Sequence, residues 1–129
     1  MIKEELIKNT KNDRFAGYLG IKLVEVQPGY AVAEMEITEN HLNGVGMVHG
    51  GAIFGLADYA FAVASNSKGP VALATSAHIS FFQPPQGKKL TARAREITSS
   101  RKLGHYQVDI LDEDGTLVSR FTGSVYIKA

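Results

Sequence analysis

The sequence predicts an α+β fold in which one antiparallel sheet wraps around a single long central helix. Three observations carry this. Runs rich in β-branched and aromatic residues, bounded by Gly, Pro and Asp turn signals, make up most of the chain. Only one stretch, Gly51 to Asn66, is long and uninterrupted enough for a substantial helix. That stretch is apolar almost all round, so it needs cover on most sides, and a curled sheet supplies it.

The elements follow in order. Residues 2–12 suit a short amphipathic helix with Ile2, Leu6 and Ile7 on one stripe. "IKLVEVQPGYAVAEMEI" reads as two strands broken at Pro28-Gly29, a hairpin signal. "TENHLNGVGMVHGG" is a loop, because Asn and four Gly tolerate unusual backbone angles. The long helix comes next, and Asn66-Ser67-Lys68-Gly69-Pro70 stops it. Four strands then form a meander, near 71–82, 89–98, 104–112 and 116–127. Pro84-Pro85-Gln86-Gly87 separates the first two, and Asp112-Glu113-Asp114-Gly115 turns between the last two.

Composition excludes several classes. The 129 residues suit one domain spanning 1–129. A net charge of +1 and a pI near 8.0 give no reason to expect nucleic acid or an anionic membrane as a partner. No Cys is present, so disulfides, thiolate metal sites and a cysteine nucleophile are out. The lack of Cys and the charged start "MIKEELIKNT" fit a cytoplasmic protein without a secretory leader. The longest apolar run, Ala52 to Ala64, is broken by Asp58 and is too short to span a bilayer. There is no G-x-S-x-G elbow. His41, His49, His78 and His105 lack metal-ligand spacing, so no metal is expected, and His78 and His105 read as ordinary strand residues.

Asp58 is the one formally charged residue between Asn43 and Ser67. On a helical wheel its face also holds Phe54, Phe61, Gly51, Gly55 and Ala62, while Ile53, Leu56, Ala60 and Val63 form the face suited to the sheet. A carboxylate on so aromatic a face is partly desolvated, which makes it a stronger base. The alternative is an aspartate at a wet rim of the helix, and composition does not choose. "VHGG" leads into the helix, where the N–H groups of Gly50 and Gly51 point forward at the positive end of the dipole. That suits an oxyanion hole, although Gly50-Gly51 also suit a plain sharp turn. Spacing adds a constraint. Gly50 and Asp58 are eight residues apart, about 12 Å along a helix axis. Groups acting on one carbonyl must each lie within about 3 Å of the reacting atoms. One chain does not easily supply both, whereas two antiparallel copies of the helix bring Gly50 of one chain to Asp58 of the other.

The stretch "LNGVGMVHGGAIFGLADYAFAVASNS", with "GYAVAEMEITENH" before it and "SFFQPPQGKKLTARAREI" and "DEDGTLVSRFTGSVYI" after it, resembles the PaaI-type acyl-CoA thioesterases of the hotdog superfamily. The likeness runs from about Phe15 onward, and the combined Asn…His-Gly-Gly…Asp pattern carries it. The resemblance implies a hotdog fold and hydrolysis of coenzyme A thioesters at sites shared between two subunits. It implies Asp58 as the carboxylate that orients or deprotonates water, and the Gly50 N–H as the group polarising the thioester carbonyl. It implies Asn43 as a holder of carbonyl or water, His49 as a catalytic or loop-supporting residue, and Ser76 as a hydroxyl near the carboxylate. Strand parity alone does not separate Ser76 from Thr75. No cofactor is implied, since coenzyme A is part of the substrate. At least a homodimer is expected, with a dimer of dimers as the larger assembly.

Coenzyme A phosphates need cations. Arg101 and Lys102 sit at one strand junction, and Lys88 and Lys89 at another. Either pair also reads as solvated charge at a strand end, and the resemblance favours Arg101 and Lys102. Phe54, Tyr59, Phe61 and Phe81 line an aromatic pocket or belong to the core. Two other functions fit the fold: a non-catalytic acyl-CoA-binding or regulatory module, which retention of Asp58 disfavours, and a dehydratase or hydratase.

Overall fold

The structure, a computed structural model, describes residues 12–128. The helix expected over 2–12 falls almost wholly outside that range. The described elements are α1 (Arg14–Leu19), β1 (Ile21–Gln27), β2 (Tyr30–Glu36), a 3₁₀ turn (Glu39–His41), α2 (Gly50–Asn66), β3 (Ala72–Phe81), β4 (Lys89–Ser99), β5 (Leu103–Leu111) and β6 (Leu117–Ile127). The sequence reading did not anticipate α1. Asp13 starts it by accepting the Ala16 N–H at 3.0 Å, and Gly20 closes it at φ 78. The β1–β2 turn places Gly29 at φ 74, where a glycine is favoured.

The strands make one antiparallel sheet in the order β1-β2-β4-β5-β6-β3. The expected four-strand meander therefore holds only for β4, β5 and β6. β3 lies beyond β6, and the 82–88 link crosses the ends of β5 and β6 to reach β4. Pro84 and Pro85 lie in that link, which lacks the two-residue geometry of a hairpin. The β1–β2 hairpin docks on the other side of β4. β3 is thus an edge strand, and Leu73 and Phe81 on it are each 53% exposed.

The inner face of the sheet is built to admit a helix. Ala31 and Ala33 on β2 register against Ala94 and Ala92 on β4, all fully buried. These small side chains let α2 approach the backbone closely. Tyr106, Val108 and Ile110 on β5 and Phe121 and Val125 on β6 close the far side. The helix supplies Ile53, Leu56, Ala60 and Val63, as its sheet-facing pattern predicts.

Phe61 departs from the wheel. It is 1% exposed and belongs to the core, not to an open face beside Asp58. Its ring lies 5.2 Å from that of Phe121 and meets Tyr106 edge-on at 5.9 Å. The reason is curvature, because Phe61 lies about 60° round the helix from Asp58 at 100° per residue and the curling sheet reaches that far. Tyr59 is also buried. What stays uncovered on α2 is a narrow stripe of Gly51, Asp58 and Ala62, with Phe54 half-buried.

Gly123 makes the Phe61 seat possible. A Cβ there would stand 2.7 Å from Phe61 Cζ. Gly123→Ala is expected to destabilise the fold by about 1–3 kcal/mol through overpacking. Adding Phe61→Leu should return part of that loss, and urea unfolding of the two variants measures both effects.

Candidate active site

The loop before α2 is shaped by its own hydrogen bonds. Leu42 and Val48 form an isolated antiparallel bridge. Inside it, the Asn43 side-chain oxygen accepts the N–H groups of Val45 and Met47, each at 3.0 Å. The Asn43 N–H donates to the Met47 carbonyl at 2.7 Å. The acceptor side of Asn43 is therefore spent on the loop. Its Nδ2 has no acceptor among the described residues and remains available as a donor.

His49 is the N-cap of α2, and its Nδ1 accepts the Gly51 N–H at 2.8 Å. Accepting through Nδ1 puts the proton of the neutral ring on Nε2. Gly51 must be small for this, since a Cβ there would lie 3.0 Å from His49 Nδ1. The helix begins at Gly50, one residue earlier than expected. The Gly50 N–H, at the first helical position, finds no acceptor among the described residues. It lies at the positive end of a 17-residue helix. Phe81 stands over it, its ring 3.2 Å from where a Gly50 Cβ would be. Beside that ring opens an apolar groove of about 440 Å³ lined by Met47, Val48, Ile53, Phe82 and Pro84. The sequence marks Pro84 only as part of a strand break and gives no sign of Phe82 as lining, because the groove forms only when the 82–88 link folds back over the helix N-terminus.

Asp58 projects from the uncovered stripe of α2. Partial desolvation raises its carboxyl above the ordinary aspartate value, and the negative charge of Asp13 raises it further. Asp13 is near because α1 packs on α2 at Gly55, where a Cβ would meet Leu19 Cδ1 at 2.6 Å. Gly50 and Asp58 occupy one unbroken helix, so the separation of about 12 Å stands.

Other expected residues disperse. Ser76 registers with Ser124, next to the inward Gly123, so it faces the outer side of the sheet, away from α2. A bulge between Ala74 and Ser76 breaks strand parity, and Thr75 at the bulge donates to the Ser124 carbonyl at 3.2 Å. Within one chain, neither hydroxyl joins Asp58. Ser76 instead lines a shallow recess of about 180 Å³ with His78, His105 and Thr122. Arg101 and Lys102 occupy the exposed β4–β5 turn, with no ion-pair partner among the described residues. Lys88 and Lys89 lie at the opposite end of β4, about 33 Å away along the strand. Lys89 there pairs with Glu34 at 3.5 Å. The two basic pairs of one chain therefore do not converge. Among the described residues no cluster of His, Asp or Glu suits a metal, and no helix is long and apolar enough to cross a membrane.

The family model of the thioesterase superfamily matches residues 45–119, more than half of the chain. The chain is 39% identical over 114 residues to acyl-coenzyme A thioesterase PaaI of Escherichia coli strain K12, spanning 88% of this chain and 81% of that one. This chain belongs to the thioesterase superfamily. Its sheet and helix are the hotdog fold, and its chemistry is thioester hydrolysis. The solved E. coli PaaI protein from the phenylacetic acid degradation operon is similar at a TM-score of 0.93 and 33% identity, covering 99% of this chain and 94% of that one. A point mutant of the phenylacetic acid degradation protein PaaI from Thermus thermophilus is similar at a TM-score of 0.84 and 42% identity, covering 88% of this chain and 98% of that one.

The environment of Asp58 has a cost with a definite sign. Its pKa is raised in the folded state, so the fold favours the protonated form and loses stability as pH climbs through that value. Asp58→Asn should therefore be more stable than the parent at neutral pH. The difference should vanish below about pH 3.9, where the unfolded carboxyl is also protonated. Thermal melts of both proteins across pH test this.

Proposed function

We propose that this thioesterase hydrolyses acyl-CoA at composite sites, each formed by Asp58 of one subunit and the Gly50 N–H of another. One observation carries the reading. An N–H without an acceptor among the described residues and a partly desolvated carboxylate stand on a single helix, about 12 Å apart, which is too far to serve one carbonyl. Antiparallel pairing of two copies of α2 removes the mismatch. The uncovered stripe of α2 and the unpaired edge of β3 support such a dimer, since an edge strand joined to its own symmetry mate extends the sheet.

In this mechanism the thioester carbonyl oxygen accepts from the Gly50 N–H, and the Asn43 Nδ2 helps to hold carbonyl or water. Asp58 takes a proton from water as its oxygen bonds to the carbonyl carbon. The tetrahedral oxyanion is held at the positive helix end, and its collapse expels the coenzyme A thiolate, which recovers a proton. Direct attack by Asp58, through a transient anhydride that water then cleaves, uses the same groups. His49 keeps the loop in place through its cap. The apolar groove beside Gly50 suits an aryl or medium-length acyl group. The unpaired Arg101 and Lys102 are assigned to the nucleotide phosphates, with Lys88 at the far end of β4 as the alternative site.

Asp58→Asn should reduce turnover by about 10²- to 10⁴-fold while leaving fold and assembly intact. In the parent, kcat/KM should rise with pH through a value above the ordinary aspartate pKa, because the base must be ionised. Thiol release from a panel of aryl- and alkyl-CoA esters reads both, and parental turnover in Asp58→Asn would refute the assignment.

Arg101→Ala with Lys102→Ala should raise KM more than it lowers kcat, and the effect should shrink in high salt. An unchanged KM would move the phosphate site to Lys88.

The shared site has its own test. Gly50→Pro removes the N–H, and the backbone tolerates it: Gly50 is the first helical residue, and His49 has the extended φ −67, ψ 136 that precedes proline. The added Cβ would press on the Phe81 ring at 3.2 Å, so a circular-dichroism spectrum and melt of Gly50→Pro must first match the parent. Mixed with Asp58→Asn protein, each inactive alone, it should recover about a quarter of parental activity. Half the dimers are then mixed, and each holds one intact site of two. No recovery, with mixed dimers confirmed by mass spectrometry, would place both groups in one chain.

A further inference from the structure

The mechanism above does not use His41, yet its ring has two partners. It is 5% exposed, at the end of the 3₁₀ turn Glu39–His41. Its Nδ1 accepts the Thr38 N–H at 3.0 Å. With that nitrogen an acceptor, the proton lies on Nε2, which donates to the Leu19 carbonyl at 2.8 Å. Its backbone carbonyl accepts the His49 N–H at 2.7 Å, and its own N–H donates to the Thr38 carbonyl at 3.0 Å. The ring fills the position that Glu or Gln takes in a capping box, three residues after Thr38.

These bonds join two parts of the molecule. Leu19 ends α1, the helix that packs on α2 at Gly55, three residues before Asp58. His49 ends the loop that carries Asn43, caps α2 through the Gly51 N–H, and precedes Gly50. The His41 carbonyl holds the His49 N–H, and the two ring bonds tie the same residue to Thr38 and to Leu19.

Resting on the composite-site reading, we propose that His41 is a positioning residue. It holds the 38–49 loop so that the Gly50 N–H and the Asn43 amide aim at the thioester carbonyl, and it does so without touching the substrate. A donor displaced by about 1 Å costs on the order of 100-fold in rate. Aim matters most in the transition state, where the negative charge develops, so loss of His41 should fall on kcat and leave KM nearly unchanged.

The test uses the full-length protein and two substitutions. His41→Ala removes both ring bonds, while His41→Gln restores the acceptor for the Thr38 N–H. In assays well below the melting temperature of each variant, His41→Ala should lose about 10- to 100-fold in kcat with KM within about twofold. His41→Gln should recover most of that loss. Where His41→Ala does not fold, His41→Leu replaces it, filling the space without either bond. A second readout separates aim from stability. An acyl-CoA labelled with ¹³C at its carbonyl, bound to Asp58→Asn protein, should show an infrared carbonyl band shifted to lower frequency than in water. Adding His41→Ala or His41→Leu should return the band toward its position in water. A folded variant with parental kcat, or a band unmoved by loss of His41, would overturn the proposal. No shift in Asp58→Asn with His41 intact would overturn the oxyanion reading itself, and this inference with it.

Discussion

The fold depends on the need to cover a helix that is apolar on nearly every side. α2 has eleven buried residues, among them Leu56, Ala57, Ala60 and Ala64 at 0% exposure. A flat sheet would cover one face of such a helix. The alanines of β2 and β4 bring the backbone close, and the aromatic wall of β5 and β6 reaches round to Phe61. One stripe is left open, and it carries Asp58. The pKa of its carboxyl is raised by partial desolvation and then by the charge of Asp13 at the start of the neighbouring α1, although the residue stays on the open side.

The N-terminus of α2 shows a similar division of labour. The helix has a surplus of donors there, as every helix does. His49 takes the Gly51 N–H, and the His49 carbonyl takes that of Ala52, which leaves the Gly50 N–H without a partner among the described residues. Asn43 divides its two ends in the same way: its oxygen accepts from the loop, and its nitrogen has no acceptor among the described residues. In both residues, the atoms that hold the local structure differ from those left for chemistry.

Much of this was legible in the sequence. Periodicity and turn residues placed α2 within one residue and β3 to β6 within about two. The spacing of Gly50 and Asp58 needed only helix geometry. Legibility ended where tertiary placement decides. The wheel put Phe61 beside Asp58 because it assumes a flat neighbour, and β5 and β6 are not flat. Parity alone left Thr75 and Ser76 unseparated, and the bulge between Ala74 and Ser76 shows why alternation gives no answer there. The sequence placed Lys88 and Arg101 at two separate strand junctions, and β4 holds them apart along its length. His41 passed as an ordinary loop residue, although Thr38-x-x-His41 had the spacing of a capping box.

The strand order has a consequence for the newly made chain. β2 pairs with β4, whose partner residues lie 53 to 65 positions further on, and β3 pairs with β6, 38 to 55 positions further on. Such pairings are non-local and slow to form. During synthesis from the N-terminus, α2 emerges before any of β4, β5 or β6, so its apolar surface waits for strands not yet made. Phe61 gains its seat only when β6 delivers Gly123 and Phe121. The interval between those two events is when the chain is most open to aggregation. The pace of translation through residues 67–127 therefore bears more heavily on the soluble yield of this protein than the pace through residues 12–49.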